Sequence, residues 1–204
     1  MTDFLLACNW KLFCSPLQER AMLANLPEPK VPTIIFPSLL SLGSKHPGYQ
    51  FGAQRMDLID QGAHTGAIGA YALAELCEWV LLGHSECRAR GDNKIAEKAH
   101  QARSLGLKVM LCVSSQELDT PNVDAVAYEP LWAIGTGKVA TPELIAEAIA
   151  GIRSQVSQGT KLLYGGSVTP ANIASIAQNA DGALVGSASA SLEGLQKLFT
   201  ALTG

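Results

Sequence analysis

Four short polar motifs, each directly after an apolar run, contain the residue types that acid–base chemistry needs. They are Asn9-Trp-Lys11, Gly83-His-Ser-Glu86, Tyr128-Glu-Pro130 and Tyr164-Gly-Gly-Ser167. Together they supply an ammonium as a fixed positive charge, an imidazole as a polarising donor and a carboxylate as a general base. The pair Gly186-Ser187 follows a further apolar run, and glycine lets backbone N–H groups approach an anion. Brought together, these residues could move protons on a small anionic substrate.

The elements that must position these motifs are short apolar runs, typical of strands buried on both faces of a parallel sheet. Thr141 with Pro142, and Thr169 with Pro170, predict helix starts, because each pair matches an N-cap and a first turn. Gly106 is typical of a helix C-cap. The eight apolar runs are Phe4–Cys8, Thr33–Phe36, Phe51–Gln54, Trp79–Leu82, Val109–Val113, Ala125–Tyr128, Lys161–Tyr164 and Gly182–Val185.

Eight strands alternating with helices predict an α/β fold of the (β/α)₈ barrel type, with residues 1–204 as one domain. Such a barrel typically needs about 250 residues, so this chain must be trimmed. Only Ser114 to Asp124 connects the fifth run to the sixth, and we expect the helix there to be short or absent. The first helix, between Pro16 and Pro27, should also be shortened. A bare barrel wall would need cover from loops or another subunit, so a higher oligomer is an open alternative.

Composition limits the expected partners and compartment. The formal net charge is −3 and no Lys/Arg run occurs, so neither nucleic acid nor a membrane is an expected partner. The N-terminus lacks a basic leader, and no apolar segment approaches the roughly 20 residues that span a bilayer. Five cysteines, an odd number without C-x-x-C spacing, indicate reduced thiols. We therefore expect a cytoplasmic protein.

At the carboxyl ends of barrel strands, the four motifs would converge on the rim where such barrels build active sites. Residues Ala127 to Thr141, Ala-Tyr-Glu-Pro-Leu-Trp-Ala-Ile-Gly-Thr-Gly-Lys-Val-Ala-Thr, resemble the base-and-lid signature of the triosephosphate isomerase family. The other motifs, together with Leu184-Val-Gly-Ser187, resemble that family's remaining motifs in the family's order. The resemblance implies a TIM barrel. It also implies a cofactor-free isomerase of glycolysis and gluconeogenesis that interconverts dihydroxyacetone phosphate and D-glyceraldehyde 3-phosphate.

The resemblance also implies a role for each polar residue. Glu129 would be the general base that moves a proton between adjacent carbons through an enediolate, while His84 would polarise the carbonyl as a neutral imidazole. Lys11, oriented by Asn9, would supply positive charge. Glu86 would pair with Lys11 in either a catalytic or a purely structural role. No second His or Cys stands at zinc-ligand spacing from His84, so no metal is expected.

The segment after Glu129 would form a lid that removes water from the closed site. Backbone N–H groups of Gly135, Ser167, Gly186 and Ser187, with the Ser167 hydroxyl, would bind the phosphate. The lid would comprise Pro130, Leu131, Trp132, Ala133, Ile134, Gly135, Thr136, Gly137, Lys138, Val139 and Ala140.

Residues 61–67 resemble the loop that the family inserts into a partner subunit. Thr65 would reach the neighbouring active site in a homodimer; a monomer with a flexible loop is the alternative. Three places in the chain depart from the family pattern. Ser187 replaces the second of two glycines, Cys112-Val-Ser-Ser115 replaces Cys-x-Gly-Glu, and Phe13 replaces a polar residue or glycine.

Two other functions remain open from the sequence. One is isomerisation of a different phosphosugar on the same barrel, against which the lid sequence argues. The other is a non-enzymatic scaffold role, against which the joint retention of Asn9, Lys11, His84 and Glu129 argues.

Overall fold

Eight parallel strands close into a barrel in chain order, with β8 pairing back onto β1. The computed structural model describes residues 3–116, 118, 120, 122–133 and 139–204. The predicted (β/α)₈ TIM barrel is confirmed. Its strands are β1 Leu5–Asn9, β2 Thr33–Phe36, β3 Tyr49–Ala53, β4 Trp79–Leu82, β5 Lys108–Val113, β6 Ala125–Tyr128, β7 Lys161–Tyr164 and β8 Gly182–Val185.

The helices pack outside this barrel, and every described helix is too short or too polar to cross a membrane. Two 3-10 turns are present, Leu39–Ser41 between β2 and β3 and Ser187–Ser189 between β8 and the last helix. The helices are α1 Pro16–Ala24, α2 Ala70–Ala74, α3 Ser85–Arg88, α4 Ile95–Ser104, α5 Pro142–Arg153, α6 Ile173–Ile176 and α7 Leu192–Thr203.

Helix boundaries follow local capping chemistry at two of the three predicted places. Thr141 caps α5 and accepts a hydrogen bond from the Leu144 N–H, as predicted. Gly106, with a φ of 85°, ends α4 in the left-handed region. The start predicted at Thr169 and Pro170 is wrong, because α6 begins only at Ile173. The Thr169 carbonyl accepts the Ile173 N–H at 3.1 Å and the Asn172 side-chain oxygen accepts the Thr169 N–H at 2.9 Å, so the residues before Ile173 form a capped turn that leads into α6.

The predicted trimming is confirmed. Helix α1 has nine residues, and the described residues between β5 and β6 include no helix. The chain's own loop covers the barrel wall there, since Val123 is buried and Leu118 packs on the core. The Gln155 side chain fastens this loop by accepting the Leu118 N–H at 3.2 Å. The described part of this loop therefore packs against the wall of β5 and β6 within one chain.

Apolar side chains form two layers, one inside the barrel and one between the strands and helices. Polar side chains interrupt these layers at the carboxyl ends of the strands, where Asn9, His84 and Glu129 are all buried. The fold thus places at one rim the residues that the sequence spreads over more than a hundred positions.

Candidate active site

A cavity of about 150 Å³ opens at the carboxyl rim of the barrel. It contains most of the predicted catalytic and phosphate-binding residues that the structure describes. Glu86 adjoins the cavity through its contact with Lys11, whereas Thr65 lies elsewhere and Gly135 falls outside the described residues. Phe13, Gly165, Val168 and Leu184 complete the lining. The predicted residues in the lining are Asn9, Lys11, His84, Glu129, Ser167, Gly186 and Ser187.

Glu129 follows β6 and presents a nearly dry carboxyl group to this cavity. Its side chain is 6% exposed, and Oε1 lies 3.5 Å from His84 Nε2. Its Oε2 atom has no hydrogen-bond partner among the described residues. Burial raises the pKa of Glu129 to about 7, and the Cys112 thiol and the Lys11 charge offset only part of that effect. A carboxylate with such a pKa is a stronger base than an exposed one.

His84 stands at the N-terminus of the short helix α3, and this position determines its tautomer. The Glu86 N–H donates to His84 Nδ1 at 3.2 Å, so Nδ1 is an acceptor and the ring proton lies on Nε2. Burial, assisted by the Lys11 charge, lowers the pKa of His84 to about 4. The ring is therefore neutral near pH 7, and its Nε2–H is the donor on the side of Glu129.

Lys11 occupies a left-handed conformation, with a φ of 48°, immediately after β1. Its backbone N–H donates to Asn9 Oδ1 at 3.2 Å, and its carbonyl accepts from Gln54 Nε2 at 2.9 Å. Gln54 also donates to the Phe36 carbonyl, so one amide ties the ends of three strands together. Sequence reasoning missed this role; a polar residue ending the third apolar run was the available signal.

The Lys11 ammonium and the Glu86 carboxylate form an ion pair, with Nζ and Oε1 2.6 Å apart. Partial burial disfavours the Glu86 carboxylate, but the hydrogen bond and charge of Lys11 outweigh it and lower the pKa of Glu86. The pairing expected from the sequence is confirmed. It holds the ammonium at the mouth of the cavity.

The glycine pair after β7 makes room for protein atoms as well as for a ligand. A Cβ at Gly165 would lie 2.6 Å from Glu129 Cγ. A Cβ at Gly166 would lie 2.3 Å from the Tyr164 hydroxyl and 2.9 Å from Ala133 Cβ. The sequence predicted that these glycines allow the backbone to approach an anion. The structure shows that Gly165 also leaves room for the Glu129 side chain.

Both described ends of the predicted lid are fastened to the loop after β7 or to β7 itself. The Ser167 hydroxyl donates to the Ala133 carbonyl at 2.6 Å, and the Ala140 N–H donates to the Tyr164 hydroxyl at 3.0 Å. Leu131 and Trp132 are exposed. Residues Ile134 to Lys138 of the predicted lid, including Gly135, lie outside the described residues.

The loop that carries Thr65 projects from the barrel after β3. Thr65 is exposed, and the loop base is closed where the Asp57 carboxylate accepts the Ile68 N–H at 2.8 Å. Large apolar side chains are exposed on neighbouring loops, including Leu12 at 89% and Leu40 at 69%.

Comparisons with known proteins agree with this geometry. A family model described as triosephosphate isomerase matches residues 4–122 and 114–202, two segments that overlap at the trimmed connection. A triosephosphate isomerase of Bdellovibrio bacteriovorus is 35% identical over 226 aligned positions, covering 91% of this chain and 94% of that protein. One of Nitratidesulfovibrio vulgaris is 35% identical over 248 positions, covering 97% and 99%.

A triosephosphate isomerase of Bordetella pertussis is 37% identical over 224 positions, covering 89% of this chain and 90% of that protein. The 248-position alignment exceeds the 204 residues of this chain, so that relative carries residues that are missing here. The matches extend over nearly the full length of each protein. The chain therefore belongs to the triosephosphate isomerase family, a family of isomerases.

Proposed function

We propose that this protein interconverts dihydroxyacetone phosphate and D-glyceraldehyde 3-phosphate by proton transfer through Glu129. The observation that supports this most strongly is the pairing of a buried carboxyl with a neutral imidazole, 3.5 Å apart, beside a fixed ammonium. One group can remove a proton from carbon, the second can polarise the adjacent carbonyl, and the third can stabilise the developing negative charge.

The proton balance requires only these groups. The ionised Glu129 carboxylate takes a proton from C1 of dihydroxyacetone phosphate while His84 Nε2–H hydrogen-bonds the C2 carbonyl oxygen. The C1–H electron pair forms the C1–C2 double bond of an enediolate, whose oxyanion is stabilised by His84 and Lys11. Glu129 then returns the proton to C2, and a proton moves between the two oxygens. The carbonyl at C1 completes the aldehyde, and no electron acceptor is needed.

The phosphate would be bound by backbone N–H groups of Ser167, Gly186 and Ser187, with Gly135 of the lid as a fourth donor. Lid closure from Pro130 to Ala140 would exclude water from the enediolate. The hydrogen bonds at Ala133 and Ala140 support this, since they join both described lid ends to β7 and its loop.

We further propose a cytoplasmic homodimer of one-domain chains, each comprising residues 1–204. Pairing of β1 with β8 joins both ends of the chain in one barrel, which supports a single domain. The exposed Thr65 loop and the apolar residues beside it support self-association through this face. A particle larger than a dimer would require a second interface.

A coupled isomerase assay on the wild-type protein and on Glu129→Asp tests the proposal. The wild type should convert both triose phosphates, and the shorter carboxylate should reduce kcat far more than it changes KM. A panel of larger phosphosugars separates a different isomerase from this one. A folded wild type without activity and without binding of phosphoglycolate would favour the scaffold alternative and overturn the proposal.

A further inference from the structure

Three serine hydroxyls lie close to the proposed phosphate site, and two of them already donate hydrogen bonds to backbone carbonyls. The Ser167 hydroxyl lies 2.6 Å from the Ala133 carbonyl oxygen. A carbonyl can only accept, so the Ser167 proton points to the lid. The buried Ser189 hydroxyl lies 3.0 Å from the Val185 carbonyl and 2.8 Å from that of Gly186, where it stabilises the turn. Neither proton is available to an anion in this arrangement.

The third hydroxyl is that of Ser187. It makes no hydrogen bond to any residue that the structure describes, although Ser187 lines the cavity. It follows Gly186, where an added Cβ would lie 3.6 Å from Lys11 Cε. Ser187 and Lys11 thus line the same cavity, and the residue before Ser187 lies next to the Lys11 stem.

We propose that the Ser187 hydroxyl donates a hydrogen bond to the substrate phosphate and is a determinant of phosphate affinity in this protein. The proposal rests on the proposed function. It assigns to a side chain a contact that a second glycine, usual in the family at this position, cannot make. The Ser167 hydroxyl donates its hydrogen bond to the Ala133 carbonyl of the lid. In the proposed contact, the Ser187 hydroxyl is the side-chain donor to the phosphate.

The charge of the phosphate strengthens such a bond, and the lining of the cavity is partly apolar. Phe13 and Val168 line the same cavity, and Phe13 also departs from the family pattern at a position where a polar residue or glycine is usual. Because a hydrogen bond to a charged group is stronger than one between neutral groups, the hydroxyl should contribute measurably to phosphate binding even though Ser187 and Phe13 are exposed. The bond persists from bound substrate to product, so it should affect KM more than kcat.

Two variants separate donation from crowding. Ser187→Ala keeps the Cβ and removes the hydroxyl, whereas Ser187→Gly removes both. We expect both variants to raise the KM for D-glyceraldehyde 3-phosphate and the inhibition constant of inorganic phosphate by roughly tenfold. The rise in KM should exceed any fall in kcat. The control is Ser157→Ala, at an exposed serine in the loop before β7, on the opposite rim.

The outcomes are distinct. Unchanged constants in both Ser187 variants would overturn the proposal, because the hydroxyl would then make no useful contact. Tighter phosphate binding by Ser187→Gly alone would also overturn it and would show that the side chain crowds the anion. Failure of the proposed function would look different, since the wild type itself would neither isomerise the triose phosphates nor be stabilised by inorganic phosphate.

Discussion

Adding one methyl group at position 165 should disable the site without disturbing the fold. In Gly165→Ala the new Cβ would lie 2.6 Å from Glu129 Cγ, whereas non-bonded carbons prefer about 3.5–4.0 Å. The Glu129 side chain must therefore move by about 1 Å, away from its place beside His84. A displacement of that size can cost about 100-fold in rate when a reacting group is involved. We expect kcat to fall by about that factor.

The assay is the coupled isomerase reaction in both directions, with circular dichroism and thermal unfolding as checks on the fold. The KM should change less than kcat, because the proposed phosphate donors remain in place. Gly159→Ala is the matched control, since a Cβ at that position would meet no atom within 4 Å. A folded Gly165→Ala protein with a kcat within threefold of wild type would refute the idea that Gly165 maintains the position of Glu129.

Three further predictions concern the buried acid and the lid. Because burial raises the pKa of Glu129 from 4.5 to about 7, the folded state binds the proton more tightly and loses stability as pH rises through this window. Glu129→Gln should therefore raise the free energy of unfolding in urea by up to about 3 kcal/mol at pH 8 and by less at pH 5. An equal increase in that free energy at both pH values would contradict this prediction. A ¹³C NMR titration of labelled Glu side chains should show one carboxyl with a pKa of about 7 that is missing from Glu129→Gln, and finding every Glu titrating below pH 5 would refute the assignment. Tyr164→Phe removes the acceptor of the Ala140 N–H and should raise KM severalfold. Tyr128→Phe serves as its control, and equal effects of the two changes would argue against the lid contact.

Much of the site could be predicted because the barrel converts strand order into spatial proximity. Once eight apolar runs alternate with helices, Lys11, His84 and Glu129 must share a rim, whatever their separation in sequence. The protonation states of these side chains were harder to predict from the sequence. The Nδ1 acceptor role of His84 depends on the Glu86 N–H, and the raised pKa of Glu129 depends on burial among distant residues.

The remaining contacts were hidden because they join residues far apart in the chain. Gln54 meets the Lys11 carbonyl across 43 positions, and the Ser167 hydroxyl meets Ala133 across 34. No local pattern specifies such pairs. The helix start predicted at Thr169 differs from α6 by one turn, because the Thr169 carbonyl accepts the Ile173 N–H and this turn leads into the helix at Ile173.

Hydrogen exchange from solvent into the substrate tests the role of Glu129 most directly. Dihydroxyacetone phosphate is incubated with the protein in D₂O, and deuterium at C1 of the substrate and C2 of the product is followed by ¹H NMR. The wild type should incorporate deuterium at both carbons, because the proton on Glu129 can exchange before it returns. Glu129→Gln should remain folded, bind phosphoglycolate and show no incorporation. Incorporation by Glu129→Gln at the wild-type rate would contradict the proposal, because another group would then be the base.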